Sequence, residues 1–314
     1  MENDEVEATE NRKKPQFGTR YLKDQDEVFQ HNAWDDVEWN DDLIKSAEDK
    51  LKLNSQTLVS VENQEKYEAE ANLFWDKFYN IHENRFFKDR HWLFTEFPEL
   101  NLVSTSSDNS SISETEASSR VNILEVGCGV GNTVFPILET NVGSNVFVYC
   151  CDFSEIAVSL VKSNPLYDPQ RCHSFVCDIS ADDWDVPFQE NSLDFIILVF
   201  VLSAINPDKM QSSINKLAKY LKLGGQILFR DYGKYDMVEL RFKNGRCLKE
   251  HFYVRGDGTR VFFFSEEEVD NLFTAAGLVQ TQLYSSKRLQ VNRGKQIKMY
   301  RIWIQAKYMK PLCS

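Results

Sequence analysis

The run Glu125-Val-Gly-Cys-Gly-Val-Gly131 carries the most chemical information in this sequence. It closes an apolar stretch with an acidic residue and continues into a glycine-rich turn. Glycine allows positive φ and lets a backbone approach a ligand closely. A strand, such a turn and a helix build a nucleotide pocket at the carboxyl edge of a parallel sheet. A dinucleotide site requires Gly-x-Gly-x-x-Gly, and the place of its last glycine is held by Asn132. The pattern therefore favours a donor without a pyrophosphate, S-adenosylmethionine, over a nicotinamide cofactor. An ordinary tight turn between a strand and a helix is the plainer reading of the glycines alone.

Further acids fall where such a donor needs them. Asp152 lies at the end of the apolar run 146–151, placed to accept hydrogen bonds from both ribose hydroxyls. Asp178 ends the next run and can accept from the adenine amino group, with Ile179 beside the ring. Val199 ends a very apolar run and supplies a wall. Glu125 is placed to orient the glycine loop or the donor's ammonium. Each acid alone is more often a cap or turn former. Together, at successive strand ends after that turn, they read as a cofactor site.

The elements that position them alternate from residue 121 onward, as in a doubly wound α/β sheet. Strands are expected at 121–126, 146–151, 173–177, 193–200, 226–230, 278–286 and 296–307. Helices are expected from 132, at 155–163 behind a Ser154 cap, at 208–221, and from a capping box at Ser265 and Glu268. Seven strands with the last two antiparallel predict a class I S-adenosylmethionine-dependent methyltransferase, a Rossmann-like α/β fold. Before it, residues 64–82 place Tyr67, Ala71, Phe74, Trp75, Phe78 and Ile81 at helical spacing. The organisation reads as a disordered tail at 1–16, an N-terminal helical extension at 17–100, a flexible serine-rich loop at 101–120 and the methyltransferase domain at 121–314.

Composition narrows the classes. The 314 residues carry a net charge of −12, seven cysteines and five scattered histidines. No apolar run approaches the ~20 residues of a membrane span. No Cys-x-x-Cys pair occurs, so no metal site is expected. The acidic start resembles neither a secretory signal nor a mitochondrial presequence. With cysteines in apolar strands, it points to reduced thiols and the cytoplasm. The charge is uneven: residues 287–310 hold eight Lys and Arg and no acid, and residues 241–260 hold six basic residues. These stretches could form a phosphate-binding face or a plain solvated surface.

Longer motifs resemble a known family. They include Phe17-Gly-Thr-Arg20, Val28-Phe-Gln-His-Asn-Ala-Trp34, Phe86-Phe-Lys-Asp-Arg-His-Trp92, Phe94-Thr-Glu-Phe-Pro98, Leu228-Phe-Arg-Asp-Tyr-Gly233, Phe252-Tyr-Val-Arg-Gly-Asp-Gly-Thr-Arg260 and Leu289-Gln-Val-Asn-Arg-Gly-Lys295. The chain resembles the tRNA 3-methylcytidine methyltransferases, in particular the cytosolic type acting on threonine and arginine tRNAs. Leu223 replaces the usual proline of a Pro-Gly-Gly turn.

The resemblance implies methylation of cytidine N3 at position 32 of the anticodon loop, with tRNA as partner. It leaves open whether a synthetase or adaptor protein assists. It implies that Trp75 and Tyr79, at i and i+4, close over the donor, and that Gly127, Asp152, Asp178 and Val199 contact it. Gly129 belongs to the same loop. Arg90 is a candidate for the methionine carboxylate.

Cytidine N3 has a free lone pair, so alignment rather than a general base is needed. A carboxylate near N3 would stabilise the cationic product. Asp231 is the candidate, with Tyr232 stacking on the base and Arg230 completing the trio; a salt-bridged loop is the alternative. Arg255, Arg260, Arg288, Arg293 and Lys295 are assigned to the tRNA stem. A methyltransferase acting on a protein or small molecule would share the donor pocket but work without RNA. A non-catalytic interaction protein would fail to bind the donor.

Overall fold

The computed structural model describes residues 20–103 and 120–312. The expected tail at 1–16 and positions 104–119 of the serine-rich segment lie outside them. The first part comprises β1 (Ala33–Asp35), α1 (Asp41–Asn54), α2 (Val61–Ala69), α3 (Ala71–His82) and a one-turn α4 (Leu93–Glu96). The second comprises β2 (Val121–Val126), α5 (Val134–Thr140), β3 (Val146–Asp152), α6 (Glu155–Ser163), β4 (Cys172–Val176), β5 (Leu193–Val199), α7 (Pro207–Tyr220) and β6 (Leu221–Tyr232). It continues through β7 (Cys247–Lys249), β8 (Phe252–Val254), β9 (Arg260–Phe262), α8 (Glu266–Ala275), β10 (Val279–Asn292) and β11 (Ile297–Met309).

The main sheet has the order β1-β10-β11-β6-β5-β2-β3-β4. Strands β2 to β6 are parallel, whereas β11 runs against both β6 and β10. This is the expected seven-stranded arrangement with its antiparallel end. Strand β5 is central because it is apolar on both faces: Ile196, Ile197 and Leu198 are all fully buried. The sheet reverses direction of winding beside β2, so the carboxyl ends of β2 and β5 flank an open crevice, where such folds bind ligands. Ser154 caps α6 by accepting from Ala157 N at 3.1 Å, and the Ser265–Glu268 capping box closes both of its hydrogen bonds.

Four features depart from the expected elements. The helix expected over 64–82 is two helices, interrupted at Glu70, whose φ of −102° and ψ of 17° leave the helical region. The main sheet gains an eighth strand, β1, in which Trp34 is buried against Leu289 and Val291. A separate antiparallel sheet, β7-β8-β9, fills the interval between β6 and α8. Strand β6 also starts at Leu221 rather than at 226, so Gly224 and Gly225 lie within it. No helix among the described residues is long and apolar enough to cross a membrane.

Candidate active site

The glycine loop follows β2 with Gly127 at φ 59° and Gly129 at φ 53°. Both positions also lack room. A Cβ on Gly129 would stand 2.8 Å from the Tyr79 hydroxyl, and one on Gly127 would stand 2.5 Å from a Val201 methyl. Glycine is therefore required here by φ and by crowding alike.

The loop borders a cleft that is open to solvent. Asp152 and Asp178 line it from the ends of β3 and β4, with Ile179 next to Asp178. Asp152 is 6% exposed. Its two oxygens accept Gly129 N–H at 2.9 Å and Ser154 N–H at 3.0 Å. Burial raises its pKa to about 6, against the lowering effect of those two donors. Asp178 accepts Ser180 N–H at 2.8 Å. Helix α3 covers the cleft with Trp75 and Tyr79, whose rings stack at 5.9 Å. A spacing of about one helical turn thus places on one face the pair that the resemblance implied.

Four expected cofactor residues do not line the cleft: Gly129, which is packed under the Tyr79 hydroxyl, and Val199, Glu125 and Arg90. Val199 is buried, and the next two residues, Phe200 and Val201, form the wall instead. Phe200 adopts φ 60°, a region bulky residues rarely enter. Glu125 is 1% exposed, and neither carboxylate oxygen has a hydrogen-bond partner. Burial lifts its pKa to about 8, although Arg90 pulls the other way from 3.6 Å. Arg90 itself donates to Thr133 Oγ1 at 2.9 Å, and its N–H reaches Asn132 O at 2.8 Å. It thus ties the segment before α4 to the end of the glycine loop. A glycine-loop cradle that a Cβ would obstruct and two strand-end carboxylates lining the cleft fit S-adenosylmethionine.

The trio at the end of β6 divides between the two faces of the sheet, because neighbouring strand residues point oppositely. Asp231 is fully buried; it accepts N–H bonds from Ser203 at 3.0 Å and Tyr232 at 2.9 Å. Burial raises its pKa to about 6. It does not line the cleft. Instead it anchors the turn that carries Phe200 and Val201. The Tyr232 ring lies 4.9 Å from that of Phe200, with the Arg255 guanidinium 5.9 Å above it. Arg230 lies elsewhere. Its guanidinium is held between Trp92 and Trp303, donates to Gln305 at 2.7 Å and pairs with Glu96 at 3.8 Å. It braces α4 against the sheet and is not brought to the cleft.

The chain is 56% identical to the zebrafish (Danio rerio) tRNA N(3)-cytidine methyltransferase METTL2, covering 97% of this chain and 93% of that protein. This chain belongs to the tRNA N(3)-cytidine methyltransferase family. Its donor is S-adenosylmethionine. A model described as "Methyltransferase domain" matches residues 124–227, from β2 into β6. The Drosophila melanogaster Mettl2 protein is 48% identical over 98% of this chain and 92% of its own length. A Saccharomyces cerevisiae protein named tRNA(Thr) (cytosine(32)-N(3))-methyltransferase is 41% identical, over 94% of this chain and 46% of the yeast protein.

The basic residues expected to hold RNA occupy three settings. Arg288, Arg293 and Lys295 lie on the β10–β11 hairpin, where Arg288 pairs with Asp35 at 3.3 Å and Arg293 donates to Phe29 O at 3.1 Å. Lys295 is exposed at the hairpin tip. Arg255 is half-buried, donating to Thr259 and to Arg260 O. Arg260 differs from the expectation: it is 7% exposed, lines the cleft and pairs with Glu68. Sequence reading also missed Glu68, Phe153, Phe200 and Lys209 as cleft residues. For Glu68 a signal existed, since 68, 71, 75 and 79 follow helical spacing.

Proposed function

We propose that this protein transfers the donor methyl to N3 of cytidine 32 in the anticodon loop of threonine and arginine tRNAs, in the cytoplasm. The observation that carries the position is the 41% identity to the yeast enzyme named for cytosine 32 of tRNA(Thr). The choice of threonine and arginine tRNAs rests on the resemblance of the long N-terminal motifs.

Bound S-adenosylmethionine supplies an electrophilic methyl group on sulfur. Asp152 accepts the ribose hydroxyls, and Asp178 with Ile179 holds the adenine. Trp75 and Tyr79 cover the cleft and exclude water, which strengthens electrostatic effects inside it. Arg90 lies beside Glu125 and, through Thr133 and Asn132, holds the glycine loop from behind. The target base is already unpaired in an anticodon loop, so drawing it into the cleft costs little. Phe200 and Tyr232 offer it an aromatic wall. Asp231 acts as a positioning residue through its bonds to Ser203 N and Tyr232 N. Arg288, Arg293 and Lys295 present a basic hairpin to the RNA backbone.

The test is to incubate purified protein and donor with total tRNA, with and without cell extract to supply partner proteins. Mapping should find 3-methylcytidine at position 32 of threonine and arginine tRNAs. No product in either condition would overturn the proposal.

A further inference from the structure

The charged groups of the cleft fall into two sets. Asp152 and Asp178 answer to the donor's ribose and adenine. Glu68, Lys209 and Arg260 line the same cleft and have no part in that assignment. They come from α2, the first turn of α7 and β9, so only the tertiary fold brings them together. Glu68 Oε1 lies 2.7 Å from Lys209 Nζ. Its Oε2 accepts from Arg260 Nη1 and, at 3.2 Å, from Asn206 Nδ2. Arg260 Nη2 reaches Ala204 O at 3.4 Å. Neither group is saturated: a carboxylate has about four acceptor sites and a guanidinium five N–H donors.

We propose that Glu68 accepts from the exocyclic amino group of the target cytosine, with Arg260 holding the carboxylate in place. The inference rests on the cytidine-methylating reading above and deepens it. A cytosine attacked at N3 must keep that atom bare towards the sulfonium. The groups on either side of N3 are an amino donor, N4, and a carbonyl acceptor, O2. The Glu68 carboxylate, fixed by Arg260 and Lys209, offers the acceptor that N4 needs and leaves N3 open. Uracil places a carbonyl where cytosine has its amino group, so the carboxylate repels it. The same carboxylate stands by the amino nitrogen that shares the product's positive charge. Burial acts to raise the Glu68 pKa, but hydrogen bonds from Lys209 and Arg260 outweigh it and hold it at about 2. Glu68 is thus ionised throughout the working range. Asp231, by contrast, is turned away from the cleft and engaged by two backbone donors.

A purely structural clasp between α2 and α7 would use the same ion pairs, so the test must separate the two roles. Anticodon stem-loops carrying C or U at the target position are titrated against protein saturated with S-adenosylhomocysteine, which prevents turnover. Wild-type protein should prefer C by about tenfold or more, the scale set by an unmatched buried polar group. Glu68→Gln keeps the side-chain shape, and thermal melting verifies its fold. It should bring the preference to within about twofold while leaving S-adenosylhomocysteine affinity unchanged. Lys209→Ala cuts the clasp but leaves the Glu68 carboxylate on Arg260, and should retain the preference. A preserved preference in Glu68→Gln, or its equal loss in Lys209→Ala, would overturn the assignment. Failure of the wild-type protein to form 3-methylcytidine is a separate result; it rejects the functional reading and this inference with it.

Discussion

Replacing Asp152 by asparagine separates stability from cofactor affinity. The carboxylate is almost fully buried, and each oxygen accepts one backbone N–H, from Gly129 and Ser154. Burial raises its pKa from 3.8 to about 6 despite those donors. A rise of that size corresponds to an ionisation cost on the order of 3 kcal/mol at neutral pH. Asparagine keeps the shape and escapes that cost. It has one carbonyl oxygen, however, so one N–H must face an NH2 group. A buried donor without an acceptor costs about 1–3 kcal/mol. The two effects oppose, and ligand-free stability at pH 7.5 should change by less than about 2 kcal/mol.

Affinity has no such cancellation. Hydrogen bonds from ribose hydroxyls to a charged acceptor are worth about 1.5–3 kcal/mol each. Losing the charge should weaken S-adenosylhomocysteine binding by at least about tenfold and up to a few hundredfold. The pH dependence has a defined sign. A raised folded-state pKa stabilises below the unfolded value, and that contribution is lost as pH rises through the folded value. Wild-type stability relative to Asp152→Asn should therefore decline between pH 4 and about 6 and stay level above. Calorimetric titration and urea melts across pH 4–8 measure both quantities. An affinity loss smaller than about threefold, or a stability difference flat across that window, would refute the reasoning.

Other substitutions probe separate parts of the site. Gly129→Ala forces a side chain to φ 53° and against the Tyr79 hydroxyl; a loss of about 1–2 kcal/mol is expected from the backbone alone. A thermal melt should fall accordingly, with cofactor affinity reduced as the loop shifts. Asp231→Asn deprives either Ser203 N or Tyr232 N of its acceptor, so kcat should drop by about tenfold or more with donor affinity unchanged. Undiminished kcat would remove Asp231 from the site. The Arg288→Ala/Arg293→Ala double variant should bind tRNA more weakly and lower the salt-dependence slope by about two. An unaltered slope would reject the hairpin as an RNA-binding surface.

Much of the donor site is legible in the chain because it is built from local signals. Each parallel strand ends near the crevice, so its last residue is a site residue wherever the apolar run stops. That logic locates Asp152, Asp178 and the glycine loop. It falls one residue short at Val199, because Phe200 leaves the strand with positive φ and, with Val201, lines the cleft. Spacing on a helix likewise pairs Trp75 with Tyr79.

Other placements depend on partners distant in sequence. Arg230 and Asp231 are neighbours in a motif, yet the pleat sends one between two tryptophans and the other to backbone donors under the cleft wall. The short strands β7, β8 and β9 have three residues each, too few to show a period, and are defined by pairing with one another. Arg260 reads as a surface cation among basic neighbours. Its contacts with Glu68, 192 residues away, and with Ala204 O hold it in the cleft. The sequence by itself determined the alternating parallel strands, the glycine loop and the strand-end carboxylates, since periodicity and strand ends are properties of adjacent residues. Tertiary structure alone decided which charges share the cleft with the donor, because a buried charge is stable only beside a partner that folding supplies.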